Sequence, residues 1–279
     1  MTTRLLGESE FIREMRRMVR ILADSPMPIY IDGESGTGKS FLAQLLHFES
    51  TRKGEFLCFD SESLSLTDVS AIIEKISAKK DIAEGSIFFD NYDLLPDDAQ
   101  DYIANIMESS IDLPMRFIFA ANEFLQKNLS KKTSAVHFHT LSLRERREDI
   151  VPLATYFLQN LSEQRFFLTE EAKQALYDYS WPGNIVELKD LLGLVMKEKK
   201  LGEMNIEAKD FGFTKKQEQH LARIQIDLPF GTSMSEIELE IIKKTLDACG
   251  GNKAEAARAL GINVRTIYRR VFPSQNSEQ

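Results

Sequence analysis

With 279 residues, 43% of them hydrophobic and 28% charged, the chain has a globular composition with room for about two compact units, which excludes a fibre, a peptide or extended disorder. No run approaches the roughly 20 apolar residues of a membrane helix, the opening MTTRLLGESEFIREM puts charges where a secretory signal would be apolar, and Cys58 and Cys249 have no ligand-like spacing; a cytoplasmic protein without membrane, disulfide or cysteine-zinc chemistry is expected. A net charge of −8 makes the whole molecule a poor polyanion binder, so any nucleic-acid contact must be local.

In chain order, the first part alternates short apolar runs with amphipathic helical stretches. Ile29-Tyr30-Ile31, Phe56-Leu57-Cys58-Phe59, Ser86-Ile87-Phe88-Phe89 and Arg116-Phe117-Ile118-Phe119 each read as a buried strand between helices, the pattern of a parallel sheet covered on both faces. The 18 phenylalanines fall in these strands and in helix stripes and read as core. The first run leads into Gly33-Glu34-Ser35-Gly36-Thr37-Gly38-Lys39-Ser40, a P-loop set between a strand and a helix as that motif requires. Its glycines let the backbone wrap so that N–H groups face phosphates, the helix N-terminus adds its positive end, Lys39 reaches the β- and γ-phosphates and the Ser40 hydroxyl holds Mg2+. ATP or another purine nucleotide, with Mg2+, is the expected ligand. The run Gly85 to Asp90 ends in an acid, the form of a Walker B element in which Asp90 supports the metal through water. The next residue, Asn91, can orient a water but has no basicity at neutral pH. Asp93 is a weaker substitute, because a side chain two residues on is expected to point elsewhere.

Further along, His137-Phe138-His139 sets two imidazoles on one face of a strand; with no third ligand evident, the pair reads as surface rather than as a metal site. From Leu141 to Lys200 the signal is helical, with Phe157, Leu161, Leu168, Ala172, Leu176, Leu188, Leu191 and Leu192 at helix spacing, which predicts a helical lid over 141–210. Residues 211–234 read as a linker. Over 235–279 an apolar helical stripe (Ile237, Ile241, Ile242, Leu246), the break Gly250-Gly251-Asn252, a short helix Lys253 to Leu260, the turn Gly261-Ile262-Asn263 and a last helix Val264 to Phe272 follow in turn, a helix-turn-helix pattern. Within 253–272, Lys253, Arg258, Arg265, Arg269 and Arg270 face a single acid, Glu255. These five with Thr266 are the candidate contacts to double-stranded DNA; Arg265, Thr266 and Arg269 share one face of the last helix, suited to a major groove.

Together these stretches resemble the AAA+ core and Fis-type domain of the NtrC-like bacterial enhancer-binding proteins, activators of sigma-54 RNA polymerase. The resemblance is carried by Leu6-Gly7-Glu8-Ser9, the P-loop, Ala120-Ala121-Asn122, Leu143-Arg144-Glu145-Arg146-Arg147-Glu148-Asp149-Ile150 and Trp181-Pro182-Gly183-Asn184. It implies an α/β AAA+ subdomain over 1–140 with its lid over 141–210, Asn122 as sensor I, RNA polymerase as a partner, and self-association both as an AAA+ ring and as a dimer through the C-terminal domain on an operator. Against that family, no receiver domain precedes the core, and Ser61 to Glu84 carries nothing like the GAFTGA loop that contacts sigma-54. Gln126 and Lys132 stand where two arginines reach a neighbour's ATP, leaving Lys132 as a trans-acting point charge without the arginine fork. Val186 replaces the sensor II arginine, whereas Ser40 restores the generic P-loop hydroxyl. The expectation is a DNA-binding regulator that binds nucleotide, hydrolyses it weakly or not at all, and does not remodel sigma-54 holoenzyme; the alternative is an active ATPase serving sigma-54 promoters, alone or mixed with a complete paralogue.

Overall fold

The computed structural model describes residues 4–78, 84–109, 115–122, 135–162, 164–200, 202–212, 232–249, 253–262 and 264–271, in two units that part between Phe211 and Gly212. In the first, β1 (Ile29–Asp32), β2 (Phe56–Asp60), β3 (Gly85–Asp90), β4 (Met115–Ala121) and β5 (Val136–His139) form one parallel sheet in the order β2-β3-β4-β1-β5. The period-two alternation of strand side chains feeds two cores. Tyr30, Ile87, Phe89, Phe117 and Phe119 pack under α3 (Leu66–Ala78) and α4 (Asp97–Glu108). Ile29, Ile31, Phe88, Ile118 and Ala120 pack under α1 (Glu10–Leu22) and α2 (Lys39–Phe48). The three layers follow from the four apolar runs, each of which is a strand. The phenylalanines of β3 and β4 are core, Phe89 stacking on Phe117 and Phe119 with ring centroids 6.4 and 5.9 Å apart, whereas Phe48 and Phe167 depart from that expectation and are exposed. The strand order gathers the carboxyl ends of β1, β3 and β4, where open α/β sheets take their ligands.

At the other end of the sheet lies a charge that the strand pattern conceals. Arg116, 2% exposed in β4, donates to the carbonyls of Leu22 at 3.0 Å, Ala23 at 2.8 Å and Leu46 at 2.9 Å, in and just beyond the last turns of α1 and α2. Burial pushes its guanidinium down to about 10, so it stays charged at neutral pH against the negative ends of two helices.

The lid consists of α5 (Ile150–Asn160), α6 (Glu170–Asp178) and α7 (Asn184–Glu198), with a short parallel pair of β6 (Phe167–Leu168) and β7 (Asn205–Ile206). Ala172, Leu176, Leu188 and Leu192 are buried as their spacing predicts. Leu168 departs from the helical expectation because pairing with Ile206 draws it into β6, and Leu161, 43% exposed, lies just past the end of α5.

The second unit holds α8 (Met234–Ala248), α9 (Lys253–Leu260) and α10 (Val264–Val271). Ser233 and Glu236 form a capping box at the start of α8. Ile242, Leu246, Ala256, Ala257 and Ile267 make its core, with Ile262 packed against it. The turn between α9 and α10 uses Gly261 at φ 64°, a left-handed conformation that suits glycine. The break at 250–252, Asn263 and Phe272 lie outside the described residues. No helix among the described residues is long and apolar enough to cross a membrane.

His47 of α2 gives the fold a pH signature. It is buried beside β3, with Nδ1 3.0 Å from Ser86 Oγ, and burial, reinforced by Arg116 and Arg52, holds its imidazole below the ordinary 6.5. The folded state therefore binds fewer protons here than the unfolded chain, so this contribution is complete above pH 6.5 and is lost as the pH falls toward the lowered folded value. Urea midpoints measured across this range are expected to fall with acid, and His47→Asn is expected to remove that part of the slope.

Candidate functional site

The P-loop leaves β1 at Asp32 and enters α2 at Lys39, with Gly33, Gly36 and Gly38 at φ 141°, 79° and 102°. Every carbonyl from Gly33 to Thr37 is engaged by protein. Lys39 Nζ donates to Gly33 O at 2.7 Å and Glu34 O at 3.0 Å. Asn184 Nδ2 donates to Ser35 O at 2.9 Å, the Ile185 N–H to Gly36 O at 3.0 Å, and Arg146 Nη2 to Thr37 O at 2.9 Å. With its carbonyls so held, the loop has its N–H groups left to meet an anion. Only glycine fits at 36, where a Cβ would lie 2.4 Å from the Gly183 carbonyl oxygen.

Lys39, 7% exposed, also donates to Asn122 Oδ1 at 3.1 Å. Burial lowers its pKa, while Asp90, Asp93, Asp32 and Glu34 oppose the shift. Ser40 Oγ donates to Asp90 Oδ2 at 2.8 Å, so the hydroxyl and carboxylate expected at a metal are adjacent, the donor set a hard cation such as Mg2+ takes beside phosphates. The structure corrects the expectation for Asp93: its Oδ2 accepts from the Asn122 N–H at 3.4 Å, turned toward the site by the short helical turn that follows Asn91. Asn91 adopts φ 52°, and its Nδ2 donates to Asp60 Oδ1 at 3.0 Å. Asp60, which ends β2 in register with Asp90, escapes a sequence search; its one signal is an acid closing an apolar run.

The lid meets the loop directly. Glu34 forms an ion pair with Arg144 and accepts from Asn184 Nδ2 at 3.2 Å, and the Arg144 contact chiefly holds its carboxyl below the ordinary range. Asn184 is fully buried, and its Oδ1 accepts from the Leu143 N–H at 2.7 Å. Asp149, also fully buried, accepts from Glu8 N at 2.7 Å, Ser9 N at 2.9 Å and Ser9 Oγ at 2.6 Å, tying the segment before α1 to the lid. Val186 lies on α7 and is 54% exposed. The two histidines are exposed, as the surface reading expects, and His137 Nε2 at 2.6 Å and His139 Nδ1 at 3.1 Å both meet the buried carboxylate of Asp32, on the paired strand β1. Among the described residues no group of three or more His, Cys, Asp or Glu is placed to hold a metal ion. Gln126 and Lys132 lie outside the described residues.

In the second unit, α10 carries Arg265, Thr266, Arg269 and Arg270, and α9 carries Lys253 and Arg258; the side chains of Arg258, Arg265 and Arg269 lie outside those described. Thr266 is half-buried. Arg270 turns back toward α8, pairing with Glu238 at 2.9 Å and donating to Ser235 Oγ at 3.4 Å.

Comparison with known proteins matches three stretches of the chain to known domains. Residues 6–143 match the sigma-54 interaction domain, 144–222 the AAA+ ATPase lid domain and 233–271 the Fis family of bacterial regulatory proteins. The transcriptional regulatory protein ZraR of Escherichia coli K12 is 27% identical over 96% of this chain and 68% of its own. A signal-transduction and transcriptional-control protein of Clostridium beijerinckii is 26% identical over 96% of this chain, which spans only 48% of that relative's length. Among solved structures, NtrX from Brucella abortus in complex with ATP superposes with a TM-score of 0.63 at 20% identity, covering 96% of this chain and 68% of that one. The Thermotoga maritima RuvB branch-migration motor shares the fold at TM-score 0.59 and 16% identity, covering 95% and 86%. The chain thus matches, in order, a sigma-54 interaction domain, an AAA+ lid domain and a Fis-type helix-turn-helix of bacterial regulatory proteins.

Proposed function

We propose that this chain is a DNA-binding transcriptional regulator whose AAA+ domain binds ATP and Mg2+ as a conformational ligand, turns the nucleotide over weakly or not at all, and acts without the loop that engages sigma-54. One observation carries this reading: the position after Asp90 is Asn91, an amide bonded to the Asp60 carboxylate where a general base would be required. Loss of general-base catalysis costs about 10²- to 10⁴-fold in rate. The exposed aliphatic Val186 in place of a sensor cation adds to that loss, as does the absence of an arginine fork at Gln126 and Lys132, and an arginine finger alone is worth about 10³ to 10⁵. The sequence from Ser61 to Glu84 contains no GAFTGA.

In this reading Gly33 to Lys39 bind the phosphates, Ser40 and Asp90 hold Mg2+, and Asn122, bonded to Lys39, reports the state of the γ-phosphate. Arg265, Thr266 and Arg269 read the major groove of an operator, while Lys253 and Arg258 contact phosphates; Arg270 must exchange Glu238 for a phosphate to join them. The Fis-type unit dimerises on a palindromic site, the AAA+ units associate, and RNA polymerase is the downstream partner. A second reading, an active ATPase that serves sigma-54 promoters, is favoured by the Asp60 and Asp93 carboxylates on either side of Asn91.

Calorimetry is expected to detect Mg-ATP binding by the wild type and its loss in Lys39→Ala, which removes the point charge on the β- and γ-phosphates. Asn184→Ala strands Ser35 O and Leu143 N and is expected to destabilise the fold by about 2 to 4 kcal/mol in urea titrations and to weaken nucleotide binding. Steady-state turnover is expected near background. Asn91→Glu alone adds little, since it sets a second carboxylate against Asp60, whereas Asp60→Asn with Asn91→Glu restores an amide and acid pair and should exceed the single variant. Robust wild-type turnover together with strict dependence on sigma-54 would overturn this reading in favour of the second. For DNA, Arg265→Ala and Arg269→Ala should each cost about 1 to 3 kcal/mol in operator binding with the fold intact.

A further inference from the structure

A second basic surface lies on α1 of the α/β layer, in the other unit from the helix-turn-helix. α1 buries Ile12, Met15 and Val19. Arg13, Arg17 and Arg20, at i, i+4 and i+7, line an exposed stripe of the same helix, with Arg16 between them. Arg4, Arg13, Arg16, Arg17, Arg20 and Ile21 border one open depression of about 490 Å³. Arg16 is fixed in its floor, donating through Nε at 3.0 Å and Nη2 at 2.9 Å to Leu5 O, and through Nη2 at 2.5 Å to Gly7 O.

The cluster is short of counter-charge. Arg4, Arg20 and Arg13 all repel the Arg16 guanidinium, and Asp149, the one acid that favours it, is committed to Glu8 and Ser9. Glu10 and Glu14 share the helix and are exposed, yet no carboxylate among the described residues pairs with Arg13, Arg17 or Arg20. In a chain of net charge −8, so many like charges left together raise the energy of the free protein and favour a bound anion. The donors are all arginines, whose planar forks suit phosphate oxygens. Seven residues of helix span roughly 10 Å, over which a duplex presents about three phosphates on each strand.

We propose that the arginine face of α1 is a second, sequence-independent contact to the phosphate backbone of double-stranded DNA. This rests on the reading of the Fis-type unit as DNA-binding, which brings duplex to the same chain. Duplex is favoured over an acidic protein because the depression presents the exposed forks of Arg13, Arg17 and Arg20 and a single apolar side chain, Ile21, 61% exposed, whereas protein interfaces are organised around an apolar core. Anchoring by the helix-turn-helix would then make the α1 contact effectively intramolecular.

The test uses the full chain and a fluorescent duplex of random sequence, with affinity followed by anisotropy across a salt series. Arg13→Gln/Arg17→Gln/Arg20→Gln is expected to lower the slope of log affinity against log salt by about 2 to 3, and affinity by on the order of a hundredfold at about 0.1 M salt, from roughly 0.9 per phosphate contact. The triple lysine variant should keep most of the slope. The same comparison in an Arg265→Ala/Arg269→Ala background should remove the residual duplex binding, which separates failure of this proposal from failure of the helix-turn-helix assignment. Calorimetric binding of Mg-ATP checks the fold; should the triple glutamine variant not fold, Arg17→Gln alone should lower the slope by about 0.9. Unchanged slopes in both backgrounds would overturn the proposal. So would unchanged DNA affinity with weakened self-association in sedimentation, which would assign the face to a second copy of the chain.

Discussion

Everything around the nucleotide site depends on where the carbonyls of the P-loop go. A loop that is to offer N–H groups to an anion must turn its carbonyls outward, and buried carbonyls need donors. Here Lys39 supplies the first two, and the lid supplies the next three through Asn184, Ile185 and Arg146. The lid is therefore part of the phosphate site, not a cover added to it. That arrangement explains the fully buried asparagine at the start of α7 and the glycine required at 36, where backbone meets backbone.

A second tie runs from the other side. Asp149 holds the backbone of Glu8 and Ser9, and Ser9 in turn caps α1. The chain segment before α1 and the first residues of the lid are thus joined by a buried carboxylate with three donors, each charge-assisted bond stronger than a neutral one. At the far end of the sheet Arg116 does the reverse, a buried cation held by helix carbonyls. The α/β layer is pinned at its two ends by opposite charges, each bonded mainly to backbone.

Local pattern made much of this legible. Three of the four apolar runs gave strands because parallel strands buried on both faces read as continuous hydrophobic stretches; the fourth, β2, is an edge strand and only partly buried, with Cys58 exposed. The P-loop was plain because its geometry demands fixed residue types at fixed spacing. The turn at Gly261 between two short helices likewise revealed the helix-turn-helix before any contact was known. Pairings between distant segments were not legible. Glu8 and Asp149 are separated by 141 residues, the two histidines reach Asp32 across a strand pairing that periodicity does not encode, and Asp60 becomes relevant only once β2 lies beside β3. Arg116 was hidden for another reason: in a strand pattern it counts as one polar break, and only the helix ends above it give it partners.

The backbone at residue 91 limits which side chains this site can accept. Asn91 sits in the left-handed region at φ 52°, which asparagine tolerates better than most residues, and its amide is matched to the carboxylate of Asp60. A glutamate here would therefore meet two obstacles at once, a poorer fit to the backbone and a like charge at hydrogen-bonding distance. The residue at 91 is thus chosen jointly by its own φ and by the acid that closes β2, so that positions 60 and 91 can change only as a pair.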